Sequence, residues 1–227
     1  MGLPDEVRAW RRAERARLIA ERSALPIERR RAARERVRAL LAAEVPELRR
    51  ATVGFYRPFR GEIDLTGLVR GLVEGGGRAA LPVVVERGSP LEFWRWEPGA
   101  AMRPGLWDVP VPAAAEPVEP DCLLVPLVGF DGEGHRLGYG GGYYDRTLAA
   151  MPRRPLALGV GHAFQRLASI RPQPFDRAMD AIVTEDGIRW HRRHVPGADR
   201  PAVASAEEDP NVEPVGCSSP PCLMHEL

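Results

Sequence analysis

The segment of residues 125–146 combines residue types that bind phosphate, and it has the sequence VPLVGFDGEGHRLGYGGGYYDR. An apolar run leads into Phe130 and Asp131, and residues 143–146 are typical of a helix start. Between them lie Arg136 and four glycines: Gly138, Gly140, Gly141 and Gly142. Because glycine has no β-carbon, backbone N–H groups there can wrap an anion, and a helix start adds unpaired donors. The pattern favours a phosphate site over an empty turn, although it is neither a Walker A loop nor a clean dinucleotide fingerprint.

Two carboxylates, one of them beside this loop, have the chemistry of magnesium ligands. Asp145 stands at the start of the helix that follows the glycines, where it either caps the helix or holds a cation beside a phosphate. Asp180 precedes a later apolar segment, and taken alone it is more typical of a surface residue or a cap. Magnesium prefers one or two carboxylates together with substrate oxygens, so the pair is a candidate site.

The segment GFYRPFRGEIDL, residues 54–65, is a second candidate for ligand binding. A strand is predicted to end there in an aromatic, basic loop, and loops at the carboxyl ends of strands bind ligands in open α/β sheets. Phe55 and Tyr56 are able to stack on a flat heterocycle, and Glu62 can accept hydrogen bonds from an amino-pyrimidine edge. The alternative is that the two rings are core residues and that Glu62 caps the next helix.

Two arginine-rich helices precede these segments. Residues 5–22 are rich in Arg, Ala and Glu, which favour helix, and Arg11 and Arg15 are spaced to share a face. The apolar stripe of this helix is thin: Val7, Trp10, Ala13, Leu18 and Ile19. A second helix is predicted to begin near Pro26 and to run to about Glu44.

The pattern then alternates between strands and helices. Helices are predicted around 65–73 and 143–151, and strands at 52–56, 79–85, 91–96, 122–128, 156–161 and 181–184. Residues 97–120 are rich in proline and predict a long connection. Pro82 suggests that its strand is irregular or lies at an edge. The order of elements predicts a three-layer α/β fold with a largely parallel sheet.

Composition disfavours several classes of protein. The chain has 227 residues, with 32 basic and 31 acidic side chains and a net charge of +1, so no global field favours nucleic acid or an anionic membrane. All of these basic residues are arginine, a bias that we ascribe to codon usage. No apolar run is long enough to span a membrane, no secretory signal is evident, and the cysteines form no disulfide framework. We expect a soluble, cytoplasmic protein.

The C-terminal residues differ from the rest of the chain. From about residue 193 the sequence is rich in proline and poor in large apolar side chains. We therefore expect one α/β domain over residues 1–192 and a disordered tail over residues 193–227. Cys217, Cys222 and His225 fall within nine residues, but three ligands without a known zinc spacing favour a tail that binds no metal.

Five ordered motifs, spread over residues 8–190, resemble one family. They are the Arg-x-x-Leu turn from Arg22 to Leu25; Tyr56, Pro58 and Glu62; Leu81-Pro82 followed by Phe93 and Trp96; the seventeen residues from Phe130 to Arg146; and Asp180, Thr184 and Glu185. In this order and spacing they resemble the 5-formyltetrahydrofolate cyclo-ligases, also called methenyltetrahydrofolate synthetases. The family usually has lysine in the first helix, where Arg11 or Arg12 must serve here.

The resemblance implies a fold similar to the NagB/RpiA/CoA-transferase-like α/β architecture. It implies ATP-dependent conversion of 5-formyltetrahydrofolate to 5,10-methenyltetrahydrofolate, with magnesium required and with ADP and phosphate released. Phosphorylation activates the formyl oxygen, the folate N10 attacks, and phosphate leaves, so no enzyme nucleophile is required. We expect small-molecule substrates only, a monomer, and no nucleic-acid or membrane partner.

The resemblance also implies the site residues, carried over position by position. The implied ATP contacts are Arg11, Arg15, Arg136, Leu137, Gly138, Tyr139, Gly140, Gly141, Gly142, Tyr143 and Tyr144. The implied folate contacts are Arg57, Glu62, Tyr139 and Tyr143. The implied magnesium ligands are Asp145 and Asp180, and the implied catalytic residues are Arg136 and Tyr143.

Two other functions remain open at this point. A relative that binds folate or a nucleotide without turnover would share the glycine loop, but the intact carboxylates Glu62, Asp145 and Asp180 favour catalysis. A nucleic-acid binder built on the arginine-rich helices is disfavoured by the neutral net charge and by interleaved glutamates, which predict a solvated helical face.

Overall fold

The computed structural model describes residues 3–192. The expected tail from residue 193 onward, with Cys217, Cys222 and His225, lies outside the described residues. The described part contains the helices α1 (Asp5–Ser23), α2 (Ile27–Glu44), α3 (Thr66–Glu74) and α4 (Tyr143–Ala150). The bounds of all four helices agree with the sequence predictions to within one residue. No helix among residues 3–192 has the length and hydropathy needed to cross a membrane.

Most of the strands form one sheet. In chain order the strands are β1 (Thr52–Gly54), β2 (Arg78–Val83), β3 (Glu92–Trp96), β4 (Met102–Pro104), β5 (Pro110–Pro112), β6 (Cys122–Pro126), β7 (Gly129–Phe130), β8 (Arg136–Leu137), β9 (Leu156–Val160), β10 (Ala181–Thr184) and β11 (Gly187–Trp190). The main sheet has the order β11-β10-β9-β6-β1-β2-β3. Its inner strands run parallel, and β3 and β11 pair antiparallel at the edges. The predicted α/β fold with a largely parallel sheet is confirmed.

Alternate side chains of β6 divide the core into two halves. Leu124 belongs to a buried cluster with Leu41 of α2 and Val69 of α3. Leu123 belongs to a second buried cluster, which includes Leu148 of α4. Because successive side chains of a strand point to opposite faces, helices cover both sides of the sheet, and the predicted three layers are present.

The inward face of α1 is made largely of arginine. Its buried residues are Arg11, Leu18 and Arg22, and half-buried Arg15 completes a row spaced by four, three and four positions. This spacing places all four side chains on one side of the helix. The apolar stripe expected from the sequence is only partly right, since Leu18 alone of its five members is buried and Ala13 is exposed.

Several strands differ from the sequence predictions. The strands expected at 52–56, 79–85 and 122–128 each end two residues early, at Gly54, Val83 and Pro126. The connection expected at 97–120 contains the hairpin of β4 and β5, and β7, β8 and β11 fall where no strand is predicted. Pro82 lies in a strand that pairs on both sides, so β2 is not an edge. The ladder to β1 ends at Ala80, and Pro82 lies beyond it, where a missing N–H breaks no hydrogen bond to β1.

Candidate active site

A buried aspartate shapes the glycine-rich segment after β6. The chain turns back as the hairpin of β7 and β8, and Asp131 lies between these strands. Its carboxylate accepts hydrogen bonds from the backbone N–H groups of Glu133 (3.1 Å), His135 (3.0 Å) and Ile170 (3.2 Å). Asp131 is 2% exposed, so it holds the shape of the loop and is not available to a ligand.

The loop of residues 138–142 presents backbone donors beside the start of α4. Gly140 (φ +102°) and Gly142 (φ +64°) adopt conformations that a β-carbon would strain. The N–H groups of residues 139–142 donate to no described residue, and the first-turn N–H groups of α4 have no partner within the helix. These are the features of an anion-binding site. That the anion is a phosphate of ATP stays a prediction.

Arg15 of α1 is a cation that lies over this loop. Its Nε donates to the carbonyl oxygen of Gly138 at 2.7 Å, and its guanidinium carbon lies 3.5 Å from the point where a β-carbon at Gly140 would stand. Its two Nη groups form no hydrogen bond with residues 3–192. Burial, and then the charge of Arg11, lower the pKa of Arg15. A bound anion would therefore stabilise this guanidinium.

Arg11 lies one turn away and is engaged with the protein itself. Both of its Nη groups bond the carboxylate of Asp176, in an ion pair whose side chains are 6% and 9% exposed. Its Nε and Nη2 also donate to the carbonyl oxygens of Ile170 (3.1 Å) and Arg171 (2.9 Å). The role of Arg11 as a phosphate ligand stays a prediction, and it requires the ion pair between Arg11 and Asp176 to break. Arg12, the alternative, is exposed.

Arg136 and Asp145 form an ion pair at the base of the glycine loop. Arg136 Nη1 donates to Asp145 Oδ1 (3.0 Å) and to the carbonyl oxygen of Arg177 (3.1 Å), and its side chain is 4% exposed. Asp145 Oδ1 also accepts the N–H of Arg177 at 2.9 Å. No side-chain hydrogen bond caps α4. Asp145 therefore orients Arg136 rather than capping the helix.

The donor set fits magnesium through Asp145 and less readily through Asp180. Asp145 Oδ2 accepts no hydrogen bond from the described residues, and a carboxylate with phosphate oxygens is a usual magnesium environment. Asp180 precedes β10, and its oxygens accept from Arg154 Nη2 (3.2 Å) and Ala157 N–H (2.8 Å). Within residues 3–192 no three His, Cys, Asp or Glu side chains form a metal cluster. Asp180 as a ligand stays a prediction that requires Arg154 to move.

Glu62 stands in a buried polar pocket in the loop between β1 and α3. Its Oε1 accepts a hydrogen bond from the Tyr139 hydroxyl (2.8 Å), and its Oε2 accepts one from the N–H of Phe59 (2.9 Å). The side chain is 4% exposed, with Arg22 Nη2 at 3.7 Å from Oε1. Burial raises the pKa of Glu62, while Tyr139, Arg22 and the Phe59 N–H partly offset that rise. Glu62 is a desolvated carboxylate and not a surface cap.

Three tyrosines face the charge of Glu62, and burial raises the pKa of each: Tyr56, Tyr139 and Tyr144. Each therefore stays protonated at neutral pH and keeps a hydrogen to donate. Phe55 and Tyr56 are both buried, and the ring of Phe55 contacts Trp96 edge-on at 5.0 Å. These two rings are core residues, so the stacking surface considered for them is wrong.

The remaining predicted contacts are spread around the loop. The ring of Tyr143 packs edge-on against Trp107 at 5.9 Å, and the guanidinium of Arg146 lies 4.8 Å from its centre. Leu137 is buried, and its role as an ATP contact stays a prediction. Arg57 is exposed and forms no hydrogen bond or ion pair with the described residues. As a folate contact Arg57 stays a prediction.

One buried cation, Arg22, is absent from the predicted site residues. It is 1% exposed and lies beside both Tyr139 and Glu62. Its spacing from Arg15 and Leu18 on α1 is the signal that could have identified it. That signal is weak, because periodicity analysis counts arginine as a surface residue.

Two solved structures share this fold and define its class as that of the methenyltetrahydrofolate synthetases. The NMR structure of the 5,10-methenyltetrahydrofolate synthetase of Aquifex aeolicus is 30% identical, with a TM-score of 0.71, over 82% of this chain and 94% of that chain. The structure of the synthetase of Mycoplasma pneumoniae has a TM-score of 0.63 at 24% identity, over 77% of this chain and 98% of that chain.

The 5-formyltetrahydrofolate cyclo-ligase family matches residues 7–185, and the chain belongs to this family. The cyclo-ligase of Mycolicibacterium smegmatis is 35% identical over 141 residues, which are 59% of this chain and 73% of the relative. That of Escherichia coli K12 is 31% identical over 144 residues, 60% of this chain and 79% of the relative. The match to the cyclo-ligase of Mycoplasma pneumoniae is 39% identical but spans 43% of that relative.

Proposed function

We propose that this chain converts 5-formyltetrahydrofolate to 5,10-methenyltetrahydrofolate in a reaction that requires ATP and magnesium. The γ-phosphoryl group passes from ATP to the formyl oxygen, which leaves ADP. The folate N10 then attacks the formyl carbon and loses its proton, and the carbon–oxygen bond breaks as phosphate departs. Membership of the cyclo-ligase family supports the reaction class.

One observation carries the proposal. The hydroxyl of Tyr139, a residue of the glycine loop, donates to Glu62 at 2.8 Å. A loop suited to phosphate and a carboxylate suited to a pterin are therefore in direct contact. Phosphoryl transfer depends on positioning and on charge stabilisation, so the γ-phosphate and the formyl oxygen must be held side by side. The Tyr139–Glu62 contact supports a single site for both substrates.

On the ATP side, we assign phosphate binding to the loop N–H groups and to Arg15. Arg136, which Asp145 holds at 3.0 Å, is a second fixed cation at the base of the loop. Asp145 Oδ2 would hold magnesium together with phosphate oxygens, and the bound ion would neutralise phosphate charge. Cations held in place by the protein stabilise charge that develops in a transition state without reorganising.

On the folate side, we assign Glu62 to the N–H donors of the pterin and Tyr143 to the adjoining wall. Each carboxylate oxygen of Glu62 has one hydrogen bond from the protein, so each can accept another. The amino-pyrimidine edge of a pterin presents neighbouring N–H groups, and a carboxylate can accept two of them in a charge-assisted pair. Orientation of the pterin then directs the formyl oxygen toward the loop.

Formation of methenyltetrahydrofolate, followed by its absorbance, tests the proposal. We expect product only when ATP and magnesium are both present, with ADP formed in equal amount. Chelation of magnesium should stop the reaction, and added magnesium should restart it. A folded protein that forms no product would overturn the proposal, and one that binds ATP and folate without turnover would be a binding module.

We infer further that residues 1–192 form the cyclo-ligase α/β domain. The family match ends at residue 185 and β11 ends at Trp190, which supports this boundary. We also propose a monomer in the cytoplasm, and the cytoplasmic location rests on sequence composition. Size-exclusion chromatography with light scattering measures the assembly state, and a stable dimer would contradict the proposed monomer.

A further inference from the structure

Arg22 joins segments that are far apart in the sequence. Its Nε donates to the carbonyl oxygen of Arg60 (2.9 Å), its Nη1 to that of Leu127 (2.9 Å), and its Nη2 to that of Phe59 (3.5 Å). Its Nη2 also donates to the Tyr139 hydroxyl. The end of α1, the loop after β1, the end of β6 and the glycine loop therefore meet on one buried guanidinium.

The contact between Arg22 and Tyr139 fixes the direction of the next hydrogen bond. A hydroxyl group has one hydrogen and can donate it once. Because the Tyr139 oxygen accepts from Arg22, its hydrogen is directed to Glu62 Oε1, 2.8 Å away. Tyr139 thus donates to Glu62 and does not compete with it for a pterin N–H group.

We propose that Arg22 is a positioning residue that orients Glu62 and Tyr139 for folate binding, an inference that rests on the proposed function. It holds the backbone of the Glu62 loop through two carbonyl oxygens and ties that loop to β6 and to the glycine loop. Arginine suits this role because its planar fork donates in several directions at once. A lysine ammonium has similar charge but cannot reach the same set of acceptors.

Arg22 differs from the other groups around Glu62 in that its charge acts on this carboxylate. The other titratable groups that face Glu62 or its loop are Tyr56, Tyr139, Tyr144 and, through the carbonyl of Gly61, His162. The loop itself also carries Arg57, Arg60 and Asp64. Burial lowers the pKa of His162, so this ring is neutral at neutral pH. Arg22 is the cation whose charge offsets part of the rise that burial causes in the pKa of Glu62. Its removal would leave a buried carboxylate without a compensating charge.

The variants Arg22→Met and Arg22→Lys test the inference, with Arg17→Met as the matched control. Arg17 lies on the same helix, its side chain is 53% exposed, and it pairs with Glu14 and Glu21. We expect Arg22→Met to raise KM for 5-formyltetrahydrofolate about tenfold, with KM for ATP changed less than about twofold. The control should leave both values unchanged.

The pH profile separates positioning from a general loss of structure. In Arg22→Met, KM for 5-formyltetrahydrofolate should fall as pH rises from about 5 to 8, because the uncompensated Glu62 must first lose its proton. In the parent protein the same fall should come at lower pH, because Arg22 offsets part of the rise in the pKa of Glu62. Arg22→Lys should return the fall to the pH range of the parent but should not restore the low KM. A lysine variant with the parent KM would overturn the orienting role.

Titration of Glu62 by carbon-13 NMR gives a readout independent of turnover, with the signal assigned by its loss in Glu62→Gln. We expect Glu62 to titrate at higher pH in Arg22→Met than in the parent protein. Should Arg22→Met not fold, Tyr139→Phe breaks the same chain of hydrogen bonds at a residue that is 44% exposed, and it should raise the folate KM in the same direction.

Two results would overturn the inference. One is an unchanged folate KM together with an unchanged Glu62 titration in Arg22→Met. The other is an equal rise in KM for both substrates with a lower Tm, which would make Arg22 a purely structural residue. Failure of the parent protein to form methenyltetrahydrofolate would overturn the proposed function instead, and the NMR titration would still test the contact of Arg22 with Glu62.

Discussion

The two walls of the candidate site are built in opposite ways. The glycine-loop wall, residues 138–142, is largely open and presents backbone N–H groups, with Arg15 above it. The wall around Glu62 is enclosed and presents a side-chain carboxylate, which Tyr139 and Arg22 support. Backbone conformation specifies the first wall, whereas side chains from separate segments specify the second.

The difference follows from the charge of the ligand that each wall suits. A phosphate is itself charged, so the wall that binds it can consist of neutral N–H groups. Water solvates these groups before the phosphate binds, and their exposure costs little free energy. A carboxylate aimed at neutral donors is most effective when it is stripped of water, and this desolvation costs free energy unless hydrogen bonds and a cation offset it. As a result, Glu62 is held by several side-chain and backbone groups, whereas the glycine loop is held by hydrogen bonds from Arg15 and Arg146 to its carbonyl oxygens.

Asp145→Asn should cause the largest loss of activity. This loss should arise at the glycine-loop wall alone. Asparagine keeps the size of the side chain but removes the charge that orients Arg136 and the oxygen open to magnesium. We expect a kcat about a hundredfold lower, as for the loss of one preorganised group in a transition state. The magnesium requirement should rise, and binding of 5-formyltetrahydrofolate should stay as in the parent protein. If the magnesium dependence of the variant equals that of the parent protein, Asp145 does not bind magnesium and has only a structural role.

Glu62→Gln should act on the opposite wall. The glutamine NH₂ group would face pterin N–H donors in place of an acceptor oxygen. Leaving such a group unpaired costs about 1–3 kcal/mol, which is roughly five- to a hundredfold in folate affinity. ATP affinity, measured by isothermal titration calorimetry, should not change. Equal losses for both ligands would contradict the separation of the two walls.

Arg15→Met should weaken ATP binding at the glycine-loop wall, with a smaller effect than the two preceding variants. The guanidinium is half-buried and solvent screens part of its charge, so we expect KM for ATP to rise about fivefold. KM for 5-formyltetrahydrofolate should stay constant, and Arg17→Met again provides the control on the same helix. An unchanged KM for ATP would shift the phosphate role back to Arg11.

Glu62→Gln should also change stability, in a direction that depends on pH. Burial raises the pKa of Glu62 above its usual 4.5 in the folded state, so the folded protein binds this proton more tightly than the unfolded chain. Stability of the parent protein therefore falls as pH rises from about 4.5 through the folded pKa, a loss that glutamine lacks. The Tm of the variant minus that of the parent should increase across this window and then level off. A difference independent of pH would show that Glu62 is not desolvated before ligand binds.

Removal of residues 193–227 should have the smallest effect of all. The family match ends at residue 185, before this segment. We expect kcat, both KM values and the Tm of the shortened chain to equal those of the full chain. A marked fall in any of them would show that the segment belongs to the catalytic unit.

The contrast between the walls also explains what the sequence can predict. The glycine loop belongs to one continuous run of seventeen residues, from Phe130 to Arg146, so the loop and the helix after it follow from local rules, although the β7–β8 hairpin does not. The Glu62 wall depends on contacts between residues 22, 62 and 139, of which the last two are 77 positions apart. No local pattern encodes a pairing over that distance.

Sequence patterns also fail where a polar residue takes a core position or where an element is very short. The helices of this chain are predicted well because their periodicity extends over two or more turns. Arg11 and Arg22 are buried on α1 through hydrogen bonds to carbonyl oxygens, which hydrophobic periodicity cannot detect. The strands β4, β5 and β11 have three or four residues each, too few for alternation to distinguish them from loops.

Arg15 and Arg22 stand seven positions apart on one helix, so α1 acts as a spacer between the two walls. One residue inserted between them would turn the second guanidinium by about 100° around the axis and advance it by about 1.5 Å. Seven inserted residues would nearly restore the angle but would separate the two cations by about 10 Å more. We therefore expect insertions to be accepted in the 97–120 connection and rejected in this stretch of α1, which fixes the separation of the guanidinium groups at the two walls.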